Sequence, residues 1–182
     1  MKGLILINAY SRMRAFEVQS SRLAEEFEAI GVEADVRRND GFLARVEDGS
    51  ISVGLGYDFC VYLDKDRYVL RALEASGIPV FNRYSAIEAC DDKMMTCLEL
   101  AGHGFRMPKT LPGMLCYDPG EPVRDSLVDA VVDALGLPVV VKECYGSMGK
   151  GVRLAYDREE LKALMERVKT SPHLFQEFVS GS

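Results

Sequence analysis

Apolar residues recur along the first 84 positions in two alternating rhythms. Leu4 to Ile7 is a continuous apolar run of strand length, as expected for a strand buried on both faces. Leu23, Phe27 and Ile30 share one helical face, and Gly31 supplies a stop for that helix. Val32 to Val36 alternates as a second strand, and Phe59 to Leu63 forms a third apolar run. Val69, Leu70 and Leu73 mark the next helix, stopped by Gly77, and Ile78-Pro79-Val80-Phe81 is a fourth strand. Strands separated by helices predict a parallel sheet with helices on its faces. Ligands of such sheets sit beyond the carboxyl ends of the strands, here near Asn8 to Arg12, Asp64 to Arg67 and Asn82 to Tyr84.

The rhythm changes after residue 84. Ser85 to Cys90 is helical in composition, and Asp91 or Asp92 can cap a further helix carrying Met94, Met95, Leu98 and Ala101, ended by Gly102. Pro108 starts an extended stretch. Residues 85–109 therefore form a predicted helical connector between a domain over 1–84 and a second over 110–182. In the second, Val123, Leu127, Val131 and Leu135, with Val128 and Val132, predict a strongly amphipathic helix that Gly136 and Pro138 end. A hairpin over 139–156 follows, then a helix face of Leu161, Leu164, Met165 and Val168, then a strand from His173 to Val179. The expected layer is an antiparallel sheet covered on one face by two helices.

The hairpin carries the chemistry. Val139-Val140-Val141-Lys142 runs into Gly146-Ser147-Met148-Gly149-Lys150-Gly151, and Val152-Arg153-Leu154 returns as a strand. Glycines let backbone approach a phosphate closely and leave N–H groups to face an anion. Lys142 adds a point charge within reach of the same phosphates. A P-loop is excluded because a strand, not a helix, follows Gly151. A dinucleotide fingerprint also opens a helix. A protein kinase places its lysine after the glycine loop, whereas Lys142 precedes it. What remains is a hairpin whose tip closes over phosphates, or a plain hairpin with a glycine turn.

Composition narrows the classes. A net charge of −6, with no basic cluster interleaved with aromatics, argues against general nucleic-acid binding. No apolar run is long enough to span a bilayer, and the start of the chain reads as a first strand rather than a signal peptide. Five cysteines at 60, 90, 97, 116 and 144 form no CxxC pair, which predicts free thiols in a reducing cytoplasm. His103 and His173 have no spacing that suggests a metal.

An ordered series of short segments then points to a family. Val69-Leu70-Arg71-Ala72-Leu73-Glu74 is followed by Gly77-Ile78-Pro79-Val80-Phe81-Asn82, Ala86-Ile87 and Asp92-Lys93. Leu100-Ala101-Gly102, Met107-Pro108-Lys109-Thr110, Pro138 to Lys142, Gly146 to Val152 and Phe175-Gln176-Glu177-Phe178-Val179 complete it. In this order the chain resembles the ATP-grasp ligases, and among them the RimK-like group that joins amino acids to protein or peptide carboxylates. The resemblance runs from about residue 55 to the end. It implies a Rossmann-like pre-ATP-grasp domain followed by an α+β ATP-grasp lobe, with the second lobe missing from this chain.

The resemblance also implies roles. Lys93 corresponds to a lysine that contacts phosphate, and Lys142 to one that reaches the phosphates and the edge of the adenine. Gly146, Ser147, Met148, Gly149 and Gly151 belong to the loop that closes over the β- and γ-phosphates, with the Ser147 hydroxyl and the Met148 and Gly149 N–H groups as donors. Gln176, Glu177 and Val179 match the segment that reads adenine, through the Glu177 carbonyl and the Val179 N–H. Magnesium is expected to bridge the phosphates. A substrate carboxylate would attack the γ-phosphate to give an acylphosphate, and an amine would then displace phosphate. The family's ribose-binding acid, transition-state arginine and metal-binding set lie later than Ser182, so the chain is expected to be the N-terminal portion of a ligase and inactive alone. Amino-acid or peptide carboxylates and amines are the expected substrates, with Tyr10, Ser11, Arg12 and Arg67 as first-domain candidates to bind them. An uncovered apolar face on the 110–182 sheet predicts a homo-oligomer. Glu166 and Lys169 are an expected exposed helical pair. A noncatalytic nucleotide-binding module and a carboxylase-type ATP-grasp enzyme stay open as alternatives.

Overall fold

The computed structural model describes residues 1–41, 44–54 and 56–180. Gly181 and Ser182 fall outside these ranges. The chain is mixed α/β and divides into two compact units, Met1–Glu88 and Ala89–Ser182.

The first unit is built on a parallel four-stranded sheet. Its strands are β1 (Lys2–Ile7), β2 (Glu33–Arg38), β5 (Phe59–Tyr62) and β6 (Val80–Phe81), in the order β2-β1-β5-β6. Leu4, Leu6, Cys60 and Tyr62 of the central strands pack with Leu70 and Leu73 of α2 (Arg67–Ala75). The Asp66 carboxylate starts α2 by accepting the N–H groups of Tyr68 and Val69. Helix α1 (Arg14–Ala29) is bound less deeply than its apolar face predicts. Its buried residue is Ser20, Leu23 and Phe27 are half-buried, and Ile30 is exposed. Phe27 meets the sheet through the Phe59 ring at 5.3 Å.

One element was not anticipated. Strands β3 (Ala44–Glu47) and β4 (Ser50–Val53) form a hairpin turning at Asp48-Gly49, both with positive φ (50° and 73°). An Asp-Gly pair between short β-prone runs is the signature of this turn. Its strands alternate, as Ala-Arg-Val-Glu and Ser-Ile-Ser-Val, but each is only 4 residues long with two apolar side chains, which is why the pattern passed over them.

Helix α3 (Tyr84–Asp91) leads into α4 (Lys93–Leu100). Asp92, rather than Asp91, caps α4, accepting the N–H groups of Met94 and Met95 at 2.8 and 3.1 Å. Helix α4 belongs to the second unit. That unit's sheet is antiparallel throughout, in the order β7 (Thr110–Pro112), β10 (His173–Glu177), β8 (Val139–Glu143), β9 (Val152–Ala155). Two helices, α5 (Asp125–Leu135) and α6 (Arg158–Val168), cover one face. Val139, Val141, Ala155 and Phe175 point into that core against Val128, Val131, Leu161 and Met165. Val123 packs there too but lies just before α5 rather than in it. Glu166 and Lys169 do pair, at 2.7 Å, but not as an exposed couple: Lys169 is largely covered and Glu166 also accepts the Val123 N–H.

The opposite face of this sheet is only partly bare. Leu174 is 1% exposed, and α4 packs against β10. The last strand ends at Glu177, so Phe178 and Val179 continue beyond it and are exposed.

Gly113 links β7 to the following loop, its N–H donating to the His173 carbonyl at 2.8 Å. A Cβ there would lie 2.2 Å from the buried His173 ring. That ring is pinned by Ser171 O at 2.7 Å and by edge contact with Phe175. Gly113→Ala is therefore expected to destabilise the second unit by about 1–3 kcal/mol. Urea denaturation checks this, and an unshifted midpoint would mean the ring yields freely.

Candidate functional site

Alternation along β8 sets the site. Since Val139 and Val141 face the helices, Val140 and Lys142 face the other way. Register carries this face across the sheet: Lys142 lies opposite Val152 and Leu174, and Val140 opposite Leu154 and Gln176. The result is a half-buried apolar floor of Val140, Val152 and Leu154, with Lys142 and Gln176 on it. The Lys142 ammonium donates to Gln176 Oε1 at 2.6 Å, and Gln176 Nε2 donates to Thr110 Oγ1 at 2.8 Å.

The glycine loop rises from the end of the same strand. Glu143 N–H donates to the Gly151 carbonyl at 3.0 Å and closes its base. Two turns, Lys150 N–H to Ser147 O and Val152 N–H to Gly149 O, shape its tip. Gly146, Met148, Gly149 and Gly151 all have positive φ. At Gly151, φ +81° favours glycine, and a Cβ would also crowd Glu143 at 3.1 Å. Met148 takes φ +59° without being glycine and is 92% exposed. Among the described residues, no hydrogen bond uses the N–H groups of Ser147, Met148 or Gly149. The three amides sit in an exposed turn.

Lys93 reaches the root of this loop from α4. Its ammonium donates to the carbonyls of Cys144 (3.2 Å) and Gly146 (2.9 Å), and its backbone N–H also donates to Cys144 O. Cys144 N–H donates in turn to Pro172 O, so one residue ties β8, α4 and the approach to β10. Burial, reinforced by the neighbouring Asp92 carboxylate, pushes the Cys144 thiol up to about 11, so it stays protonated at neutral pH. Burial alone would raise the Asp92 carboxyl, but the Met95 and Met94 N–H groups outweigh it and hold the acid below the usual range.

Of the residues singled out in sequence, Lys93, Lys142 and the glycine loop thus share the end of β8. Gln176 contacts Lys142 directly. Glu177 lies at the other end of β10, where its backbone N–H donates to Lys109 O and its carboxylate accepts the Lys109 N–H at 2.7 Å. Val179 lies beyond the strand and makes no contact with these groups among the described hydrogen bonds. Thr110 was visible only as part of a short segment; its link to Gln176 spans 66 positions and has no local signal.

In the first unit, a cleft of about 810 Å³ opens beyond the ends of β1 and β2, lined by Asn8, Tyr10, Asn39, Arg45, Asp66 and Arg71 among others. Tyr10 lines it, whereas Ser11, Arg12 and Arg67 do not. A network behind it runs from Asn8 Nδ2 to Asp64 (2.6 Å), with the Tyr62 hydroxyl donating to the same carboxylate. Among the described residues, no group of three or more His, Cys, Asp or Glu side chains is placed to hold a metal ion, and no helix is long and apolar enough to cross a membrane.

A parallel α/β unit followed by an antiparallel α+β unit with a lysine-rooted glycine hairpin is a recognisable class, and comparison with known proteins specifies it. The RimK-like ATP-grasp domain family matches residues 90–182, and the chain belongs to that family. Over 123 residues it is 41% identical to β-citrylglutamate synthase B of Danio rerio and 39% identical to N-acetylaspartylglutamate synthase A of Homo sapiens. These matches cover 67% of this chain but 29% and 30% of the relatives, so the chain corresponds to under a third of their length. The fold is similar to that of D-alanine–D-alanine ligase from Bacillus anthracis complexed with ATP, with a TM-score of 0.67 and 21% identity over 99% of this chain and 59% of that one.

Removing the Asp92 cap tests how firmly the root of the loop is held. Asp92→Ala is expected to cost about 1–2 kcal/mol at pH 7. Because the folded carboxyl titrates below its unfolded value, its contribution is present above about pH 4 and is lost as the pH falls through the lower folded value. Urea denaturation of parent and variant should therefore diverge at pH 7 and converge as the pH falls below the folded carboxyl's lowered value. A constant difference would show that the charge of Asp92 is immaterial.

Proposed function

We propose that this chain is the nucleotide-entry part of an ATP-dependent carboxylate–amine ligase. One observation carries the reading: two lysine side chains from different elements, Lys93 and Lys142, flank the base and approach of a loop with unused backbone N–H groups. Phosphoryl transfer depends on positioning and on neutralising charge, and point charges beside oriented amides provide both. In this reading the loop from Gly146 to Gly151 covers the β- and γ-phosphates, with the Ser147 hydroxyl and the Met148 and Gly149 amides as donors. Lys93 and Lys142 each have three ammonium protons, so both can turn an unused one to phosphate oxygens while keeping their present oxygen partners. Adenine lies on the floor of Val140 and Leu154, read by the Glu177 carbonyl and the Val179 N–H, neither of which is taken by the bonds that hold Glu177 to Lys109.

The reaction is proposed to run through an acylphosphate that an amine then opens. The relatives named as synthases of β-citrylglutamate and N-acetylaspartylglutamate support an acid and an amino acid as the joined partners. The described residues present no carboxylate set that fits a magnesium ion. Magnesium would accompany the nucleotide rather than be held by these side chains.

Calorimetric titration with ATP, with and without magnesium, tests the reading. Lys142→Ala is expected to weaken binding by more than about tenfold, roughly 1.4 kcal/mol, as loss of a charge-assisted phosphate contact requires. Unchanged affinity would remove Lys142 from the site.

A further inference from the structure

Lys142 does not stand alone on its face of the sheet. Gln176 lies on the central strand β10, directly opposite Thr110 of β7 on one side and Val140 of β8 on the other. Lys142 is the diagonal neighbour of Gln176, a separation that long side chains bridge. The contacts form a chain across three strands. The Lys142 ammonium donates to Gln176 Oε1 (2.6 Å), Gln176 Nε2 donates to Thr110 Oγ1 (2.8 Å), and the Thr110 hydroxyl donates to Pro108 O (2.9 Å).

The chain has a single direction. An ammonium only donates, so the amide must turn its oxygen to Lys142 and its nitrogen to β7. The Thr110 hydroxyl accepts from that nitrogen and sends its own proton to the Pro108 carbonyl, which only accepts. Gln176 is buried, so an unmet amide proton there is costly. With the Thr110 oxygen removed, a flipped amide would present two donors to each other at Lys142, and an unflipped one would leave Nε2 short of a partner. Either way the preference that docks the ammonium is weakened.

We propose that Thr110 is a positioning residue for Lys142. Acting through Gln176, it keeps the ammonium poised at the phosphate-facing end of β8. The role rests on the proposed nucleotide site and extends it to a residue that touches no nucleotide.

Nuclear magnetic resonance of lysine ammonium groups in the 15N-labelled chain reads the docking without nucleotide. The parent is expected to show a slowly exchanging ammonium signal that disappears in Lys142→Met. It should be lost in Thr110→Val, which keeps the shape but not the hydroxyl, and retained in Thr110→Ser. Titration with magnesium–ATP should follow the same order, with Thr110→Val about fivefold weaker and Thr110→Ser near the parent. A signal retained in Thr110→Val, or lost with ATP affinity unchanged, overturns the proposal. If circular dichroism shows that Thr110→Val does not fold, the parent and Thr110→Ser spectra decide, and no Lys142 signal in either overturns it. A parent chain that shows the signal and binds no ATP overturns the proposed function, and this role with it, while leaving the hydrogen-bond chain intact.

Discussion

Pairing of β10 with β8, Leu174 opposite Lys142 and Phe175 opposite Val141, decides which side chains meet the helices and which surround the lysine. A slip of β8 by one residue would turn Lys142 into the apolar core, away from Gln176. The core therefore specifies the polar face. Val139, Val141 and Phe175 are all but fully buried against α5 and α6, and burial on that scale outweighs anything gained by a shifted register. Lys142 is placed by Val139 and Val141, the buried valines that precede it on the strand.

The second constraint is the junction at Cys144. Helix α4 begins at Lys93 because Asp92 occupies its first turn, and the same Lys93 clamps the carbonyls that open the glycine loop. A buried cap bonded to two amides holds a helix start firmly, so Lys93 reaches the loop from a rigid base. The loop itself is different. The amides of Ser147, Met148 and Gly149 lack partners among the described residues, and four of its residues have positive φ. A firm root and a tip with free amides suit the proposed role of closing on an anion.

Much of the fold was legible in sequence. The strands at Leu4–Ile7 and Phe59–Leu63, and the helices stopped by Gly77 and Gly136, follow from apolar period and punctuation. Where the reading went astray, a weak local signal was the cause. The β3–β4 hairpin carries its Asp-Gly turn and alternates, but its strands of 4 residues each are too short to stand out, and the predicted end of β10 at Val179 overran because apolar residues continue past the last pairing partner. Helix α1 shows the reverse: its apolar stripe is real, yet the sheet covers only part of it, leaving Ser20 as its buried residue.

By itself, the sequence determined which elements hold the two lysines and the glycine-rich turn. Lys93 behind a capping aspartate, Lys142 at the end of a valine strand and a glycine-rich turn are all readable, because capping, alternation and glycine conformations are local properties of the chain. Only the tertiary structure decided who meets whom. That Lys93 clamps the loop's carbonyls, that Gln176 receives Lys142, and that Thr110 orients Gln176 are contacts across 53, 34 and 66 positions. Such contacts depend on strand order and register, which are selected by burying the whole apolar face at once and leave no trace in any short window of sequence.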